Sequence, residues 1–422
     1  MEYLRGRIPE TYDRLRLERK WGHFAELQRV EVVEARMGAV MRNVELSLNT
    51  RVPMRPSELS AEWLSACLRD AGVLSAGEHV ASFELKRIGE GRGFAGQIMR
   101  VTLRYEPGSA TAPATLIAKF ATEHAGTRET MRSLDGYARE VRFYRELAEE
   151  VGLGTPRCYF AHYEASANQC CLLLEDLAPA ESVDFEQGYS AEQAQLVLDQ
   201  LAAMHARHWN RVEHLAWLQL DAATFANMRE RFMNALPALR DRYHAQYPSL
   251  VRVAQAVVPL LTGDEVVKQA RRPPLTLMHG DLHIDNIFLP SPRGGRPAII
   301  DWQSVAVSRL GTYDVARLLC MGMRPEQRRL HERALLEHYH RALCAHGVRG
   351  FSLRQLRMRY RQEQIAIVMV TVMILDGVAL TENGVSRYVS RVEAMLAEGH
   401  ASRMLRIASV VLRIRRWFRG RA

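Results

Sequence analysis

The sequence predicts an α+β chain: a small N-terminal part built on an antiparallel sheet with one helix, then a larger, mainly helical part. Three observations carry this. Between residues 80 and 177, apolar residues fall in short strand-like runs divided by glycine-rich and proline-rich loops. After Pro179 the apolar spacing becomes helical. The helical part is interrupted once, by a strand-and-loop island, PLTLMHGDLHIDNIFL followed by RPAIIDWQ. The 422 residues are 47% hydrophobic and 25% charged, ordinary values for a packed protein, which exclude wholesale disorder.

Taken in order, residues 1–53 carry no strong motif. They read as an N-terminal extension, disordered or upstream of the true start, with Met37, Met41 and Met54 as later starts. Ser60, three residues before Trp63, caps a short helix that ends near Gly72. In ASFELKRIGEGRGFAGQIMRVTLRY, Phe83, Leu85 and Arg87 alternate with polar neighbours, and Met99, Val101, Leu103 and Tyr105 do so after the glycines. That is strand, loop, strand. TLIAKFA is a third strand, and CYFAHYE and QCCLLLEDL are two more. Leu134, Tyr137, Val141, Tyr144 and Leu147 have helical spacing, with Glu140 beside them. Ser190 and Gln193 form a capping-box signature that opens a helix running to Trp209. Residues 222–270 and 325–422 are mostly helix-patterned. The apolar run from Ile365 to Leu375 is too short to span a bilayer and reads as buried.

Composition restricts partners without naming one. The formal charge is +9, and the 57 basic residues comprise four lysines (Lys20, Lys86, Lys119, Lys268) and 53 arginines. A basic balance suits nucleic acid, a membrane surface or an anionic substrate alike. No aromatic-basic module supports nucleic acid. Six cysteines with no CxxC pair read as thiols of a reducing cytoplasm, and the N-terminus has no signal-peptide core. Residues 399–422 hold seven arginines and no acid, with Met404, Ile407, Val411, Ile414 and Phe418 in a helical stripe. Such a helix packs on the core with a solvated arginine face, or lies on an anionic membrane.

Three motifs carry chemistry. Gly91, Gly93 and Gly96, with Gly89 upstream, match G-x-G-x-x-G. A strand follows them, not a helix, so a dinucleotide fold is disfavoured. A glycine loop between antiparallel strands covers nucleotide phosphates in kinases; an ordinary hairpin is the bland alternative. Lys119 sits inside an apolar strand, where an unpaired ammonium is costly. Glu140 is its candidate ion-pair partner, and the compact charge suits the inner phosphates of a nucleotide. The alternative is a lysine whose head stays in water. The third motif is His279-Gly280-Asp281-Leu282-His283-Ile284-Asp285-Asn286, with Asp301 twenty residues after Asp281. It matches H-R-D-L-x-x-x-N except at Gly280. Asp281 stands where a catalytic carboxylate is needed, and Asn286 and Asp301 supply the oxygens that Mg²⁺ takes beside phosphates. His279 reads as a loop brace, His283 as a phosphate or backbone partner, and Asp285 as a solvated residue. His205 and His208 read as packing or surface residues.

The stretch MHGDLHIDNIFL…AIIDWQ…GTYDVARLL resembles the aminoglycoside phosphotransferase and choline kinase superfamily, and within it the ecdysteroid-kinase-like bacterial phosphotransferases. The resemblance runs from about Met54 to the C-terminus. It implies a bilobal protein-kinase-like fold, with an N-lobe over 54–178 and a helical C-lobe over 179–422. It implies a hinge at Leu174-Glu175-Asp176-Leu177 that meets adenine, and a helix begun by Asp314 that braces the catalytic loop 279–286. The implied activity is transfer of the ATP γ-phosphoryl group to the hydroxyl of a small molecule, with Mg²⁺ held on the metal strand 299–303. No A-P-E segment follows Asp301, which favours a small-molecule acceptor. Two readings compete: a nucleotide-binding pseudokinase or interaction module, and a metal-dependent hydrolase using His279, Asp281 and His283.

Overall fold

The computed structural model describes residues 51–89, 96–106, 111–180, 182–261, 265–290, 295–377 and 382–406. The expectations for nearly all of the N-terminal extension, for Gly91 and Gly93, and for the stripe from Ile407 onward fall on residues outside that set. The chain divides into two compact units. In its described residues the first holds Leu59–Ser82 and the ends of one hairpin at Tyr105 and Ala112. Its helix, Ala61–Asp70, is capped as expected: the Ser60 side chain accepts from the Trp63 N–H. Trp63, Leu64, Cys67 and Leu68 bury one face of that helix.

The second unit contains everything that positions the candidate site. Its sheet has five strands, β1 (His79–Ile88, shared with the first unit), β2 (Gly96–Glu106), β3 (Thr115–Ala121), β4 (Cys158–Glu164) and β5 (Gln169–Glu175), in the order β1-β2-β3-β5-β4. β3 pairs antiparallel with both β2 and β5, so Lys119 lies between Ile98 and Leu172. β5 lies between β3 and β4, and its run Cys170–Leu174 is buried throughout, which explains why it reads as unbroken hydrophobicity. The expected helix is present over Gly136–Glu146 and buries Tyr137, Glu140, Val141, Phe143 and Tyr144. A second helix, Ala125–Ser133, precedes it. Asp135 separates the two with a left-handed backbone at φ 54°.

The remainder is mainly helical. Ser190 and Gln193 form the capping box of helix Ala191–Arg207. Helix Thr312–Gly322 is buried at every position and sits at the centre of the apolar core, with Leu353–Gly377 packed on it. Two short strand pairs divide the island. Leu275–Met278 pairs with Ala306–Arg309, and Ile287–Phe288 with Ala298–Ile299. The loop 279–286 and the turn 300–304 therefore emerge from paired strands whose ends are fixed. The run Ile365–Leu375 is part of the Leu353–Gly377 helix, and no described helix is long and apolar enough to cross a membrane. All six cysteines are free.

Candidate active site

Lys119 defines the site. Its side chain is buried, and its Nζ lies 2.7 Å from Glu140 and 2.6 Å from Asp301. β3, the helix Gly136–Glu146 and the turn after Ile299 thus meet at one ammonium. The lysine is an enclosed ion pair and not a strand-edge cation. Burial pulls its pKa down, but the Asp301 and Glu140 charges outweigh that and hold it protonated above the usual lysine range. For Glu140, burial acts in the opposite direction and raises the carboxyl, with Lys119 opposing.

Packing holds this geometry. The Trp302 ring stacks on Phe143 at 3.8 Å and meets the His279 ring edge-on at 4.6 Å. The residue after Asp301 is thereby packed against the helix that carries Glu140. Trp302 donates its indole N–H to the Ile299 carbonyl at 3.1 Å. Asp301 has φ 67°, and its second oxygen accepts from Gln303.

The loop 279–286 is built from behind. Asp314 accepts the backbone N–H of His279 at 2.7 Å and of Gly280 at 2.9 Å. His205 backs Asp314 at 3.4 Å and is held in turn by Tyr339 at 2.8 Å. His208 bonds the Met204 carbonyl. Both helix histidines are therefore packing residues, as expected. His279 is a brace: its Nε2 faces the Ile300 carbonyl and its Nδ1 accepts from the Asp281 N–H. With both nitrogens committed, it is unavailable to the hydrolase array. Among the described residues no group of three or more His, Cys, Asp or Glu side chains could hold a metal ion.

Asp281 has an ion-pair partner absent from the sequence reading. Arg317, fully buried on helix Thr312–Gly322, pairs with Asp281 and also donates to the Tyr388 hydroxyl. Burial favours the neutral Asp281 acid, but the Arg317, His283 and His279 charges outweigh it and hold the carboxyl below the usual aspartate range. A buried arginine in the apolar run GTYDVARLLCMG is costly without a partner, and that was the available signal. Nothing in the sequence pointed to Tyr388. Asn286 commits its amide nitrogen to the Asp281 carbonyl at 2.9 Å and to His283 at 3.2 Å.

Gly89, Gly96, Lys119, Glu140, Glu175, Asp176, Leu177, Asp281, His283, Asn286 and Asp301 all line one cavity. The side chains at the expected hinge are engaged within the protein. Asp176 is held by Arg100 at 2.6 Å, and Glu175 accepts from the Arg157 N–H at 3.0 Å. A glycine is needed at position 96, where an added Cβ would lie 2.7 Å from the Phe120 carbonyl.

The α+β fold, with its braced His-Gly-Asp loop, buried Lys–Glu pair and Asp-Trp turn, is kinase-like. The model of the ecdysteroid kinase-like family matches residues 90–348, more than half of the chain, and the chain belongs to that family. The resemblance read from HGDLHIDN, DWQ and the glycine loop is borne out. An uncharacterized kinase-like protein of Caenorhabditis elegans is 26% identical over 250 residues, which are 55% of this chain and 63% of that protein. The chain thus matches less than two thirds of that curated relative's length. Choline kinase from Cryptosporidium parvum Iowa II has a similar fold, at TM-score 0.52 and 11% identity, over 85% of this chain and 99% of its own. Plasmodium vivax ethanolamine kinase gives a TM-score of 0.47 at 12% identity, over 84% of this chain and 93% of its own.

Proposed function

We propose that this chain is a small-molecule kinase that transfers the γ-phosphoryl group of ATP to the hydroxyl of a small molecule. The observation that carries the proposal is the buried ammonium of Lys119 bridging Glu140 and Asp301, in one cavity with Asp281. Phosphoryl transfer asks a protein chiefly for positioning and charge compensation, and these groups supply both.

Lys119, steadied by Glu140, holds the inner phosphates. Gly89, Gly91, Gly93 and Gly96 cover them with backbone N–H groups, and Glu175, Asp176 and Leu177 form the hinge for adenine. His283 reaches a phosphate oxygen. Asn286 and Asp301 would hold Mg²⁺. The donor set fits: with the Asn286 amide nitrogen committed, its carbonyl oxygen remains, and one amide plus one carboxylate is what this cation takes beside phosphate oxygens. Bound there, the ion supplies neutralisation of phosphate charge.

Arg317 engages one oxygen of Asp281; the other, with His283 Nε2 3.7 Å away, accepts the acceptor hydroxyl. The hydroxyl oxygen bonds to the γ-phosphorus as the bond from that phosphorus to the β–γ bridging oxygen breaks. ADP leaves with that electron pair, and the hydroxyl proton passes late to Asp281, because an alcohol is too weak an acid to ionise beforehand. The free thiols support a reducing, cytoplasmic setting. The test is acceptor-dependent release of ADP from Mg²⁺-ATP across a panel of alcohols. ADP release with at least one acceptor is expected. Failure to bind Mg²⁺-ATP, together with no turnover on any alcohol, would overturn the reading.

A further inference from the structure

The cavity that contains Lys119 and Asp281 has a volume of about 1830 Å³. Small-molecule sites are roughly 300–1,000 Å³, so there is space beyond one nucleotide. One wall of that space is the helix Leu353–Gly377. Arg359, Glu363, Ala366, Val370 and Met373 line the cavity and recur every three or four residues, so they share one helix face. At 1.5 Å per residue the stripe runs about 20 Å. It is charged at its N-terminal end and apolar toward its C-terminal end.

Arg309, at the end of strand Ala306–Arg309, lines the cavity with Arg359. Arg309 donates to the side-chain amide oxygen of Gln269 at 3.4 Å, and its Nε is buried with no hydrogen-bond partner. Arg359 donates to the side-chain amide oxygen of Gln362 at 2.8 Å. Among the described residues neither guanidinium forms an ion pair with a carboxylate. Burial depresses both below the usual arginine range, with repulsion from Arg359 and Arg272 adding to it at Arg309 and from Arg272 at Arg359, and Glu363 opposing at both. Glu363 is a weak counter-ion: burial pushes its carboxyl up to about 7, and it already accepts from the Thr312 hydroxyl at 2.9 Å. Two half-buried cations that share one weak counter-ion are unfavourable unless a further anion completes them.

Resting on the kinase reading above, we propose that the acceptor alcohol is an amphipathic anion. Its apolar body lies along Ala366, Val370 and Met373, and its carboxylate or phosphate is met by Arg309 and Arg359. The +9 chain then carries a counter-charge for the acceptor as well as for the nucleotide.

Calorimetric titration of the full chain tests this without turnover. The probes are ω-hydroxydodecanoate, ω-hydroxydodecyl phosphate, the uncharged dodecanediol, and the shorter ω-hydroxyhexanoate. At least one long anion is expected to bind about tenfold or more tightly than the diol, as a charge-assisted contact provides. The better of the two anions names the group. Shortening the chain to ω-hydroxyhexanoate is expected to weaken binding by about tenfold or more. Arg309→Gln and Arg359→Gln should each remove most of the anion's advantage and leave binding of the diol and of Mg²⁺-ADP unchanged, which also reports an intact fold. Equal affinity for the diol and both anions would overturn the proposal, as would anion binding that neither variant weakens. Retained anion preference in a protein that binds no nucleotide would support the anion site and defeat the kinase reading instead.

Discussion

At the residue scale, the site depends on five charges, the buried Lys119, Glu140 and Arg317 and the half-buried Asp281 and Asp301, that would be unfavourable singly. Lys119 has Glu140 and Asp301, and Asp281 has Arg317. Asp281→Asn keeps size and shape but removes the proposed proton acceptor. Turnover is expected to fall by about 10²–10⁴, with Mg²⁺-ADP affinity unchanged by calorimetry; near-wild-type turnover would refute the assignment. Arg317 makes a pH prediction. Its charge holds the Asp281 carboxyl below the usual value, so the carboxylate's contribution is present above the unfolded pKa and is lost only as pH falls through that lowered value. In Arg317→Gln, burial acts on Asp281 without its main counter-charge and the pKa rises. The acid limb of the pH–rate profile should move toward neutrality, whereas a purely structural role would lower the rate evenly at all pH values.

At the element scale, the loop 279–286 is shaped by contacts from outside it. Gly280 stands where the protein-kinase pattern has Arg, and the structure supplies a steric reason. The residue has φ 87°, and a Cβ built there would lie 2.1 Å from the Ser304 carbonyl oxygen. Gly280→Ala must push apart the turns that carry Asp281 and Asp301. We expect a loss of about 2 kcal/mol or more in thermal unfolding, from strain of this kind, together with loss of turnover. An alanine variant as stable and active as the parent would show that the two turns do not approach in this way. Asp314 acts in the same element, since it takes the His279 and Gly280 N–H groups and is itself held by the buried His205.

At the scale of the whole molecule, the elements of the second unit converge on one cavity, so occupancy should stabilise the fold as a whole. Mg²⁺-ADP at a hundredfold excess over its Kd should add about 2.7 kcal/mol by mass action. That is a measurable rise in Tm. Chelation with EDTA should remove most of the rise if Asn286 and Asp301 hold the ion. An identical rise with and without EDTA would show that the nucleotide binds without it.

The sequence by itself determined the elements and most of the Lys119–Asp281 end of the cavity. β3, β4 and β5 coincide with TLIAKFA, CYFAHYE and the start of QCCLLLEDL, because short apolar runs between turn signals leave few alternatives. Glu140, Asp281, Asn286 and Asp301 were legible because polar groups set in or beside apolar patterns need partners. Tertiary structure decided what no local pattern encodes. The Arg317–Asp281–Tyr388 contact joins residues 36 and 71 positions from Arg317. The break at Asp135, which sets the helix carrying Glu140 apart from the one before it, is a backbone choice that no residue there demanded. The pairing of an arginine-tipped strand with an apolar helix face is likewise a product of packing. Periodicity shows which face of an element is apolar. Which elements share a cavity, and which charges are only weakly compensated there, are set only when distant segments are brought together.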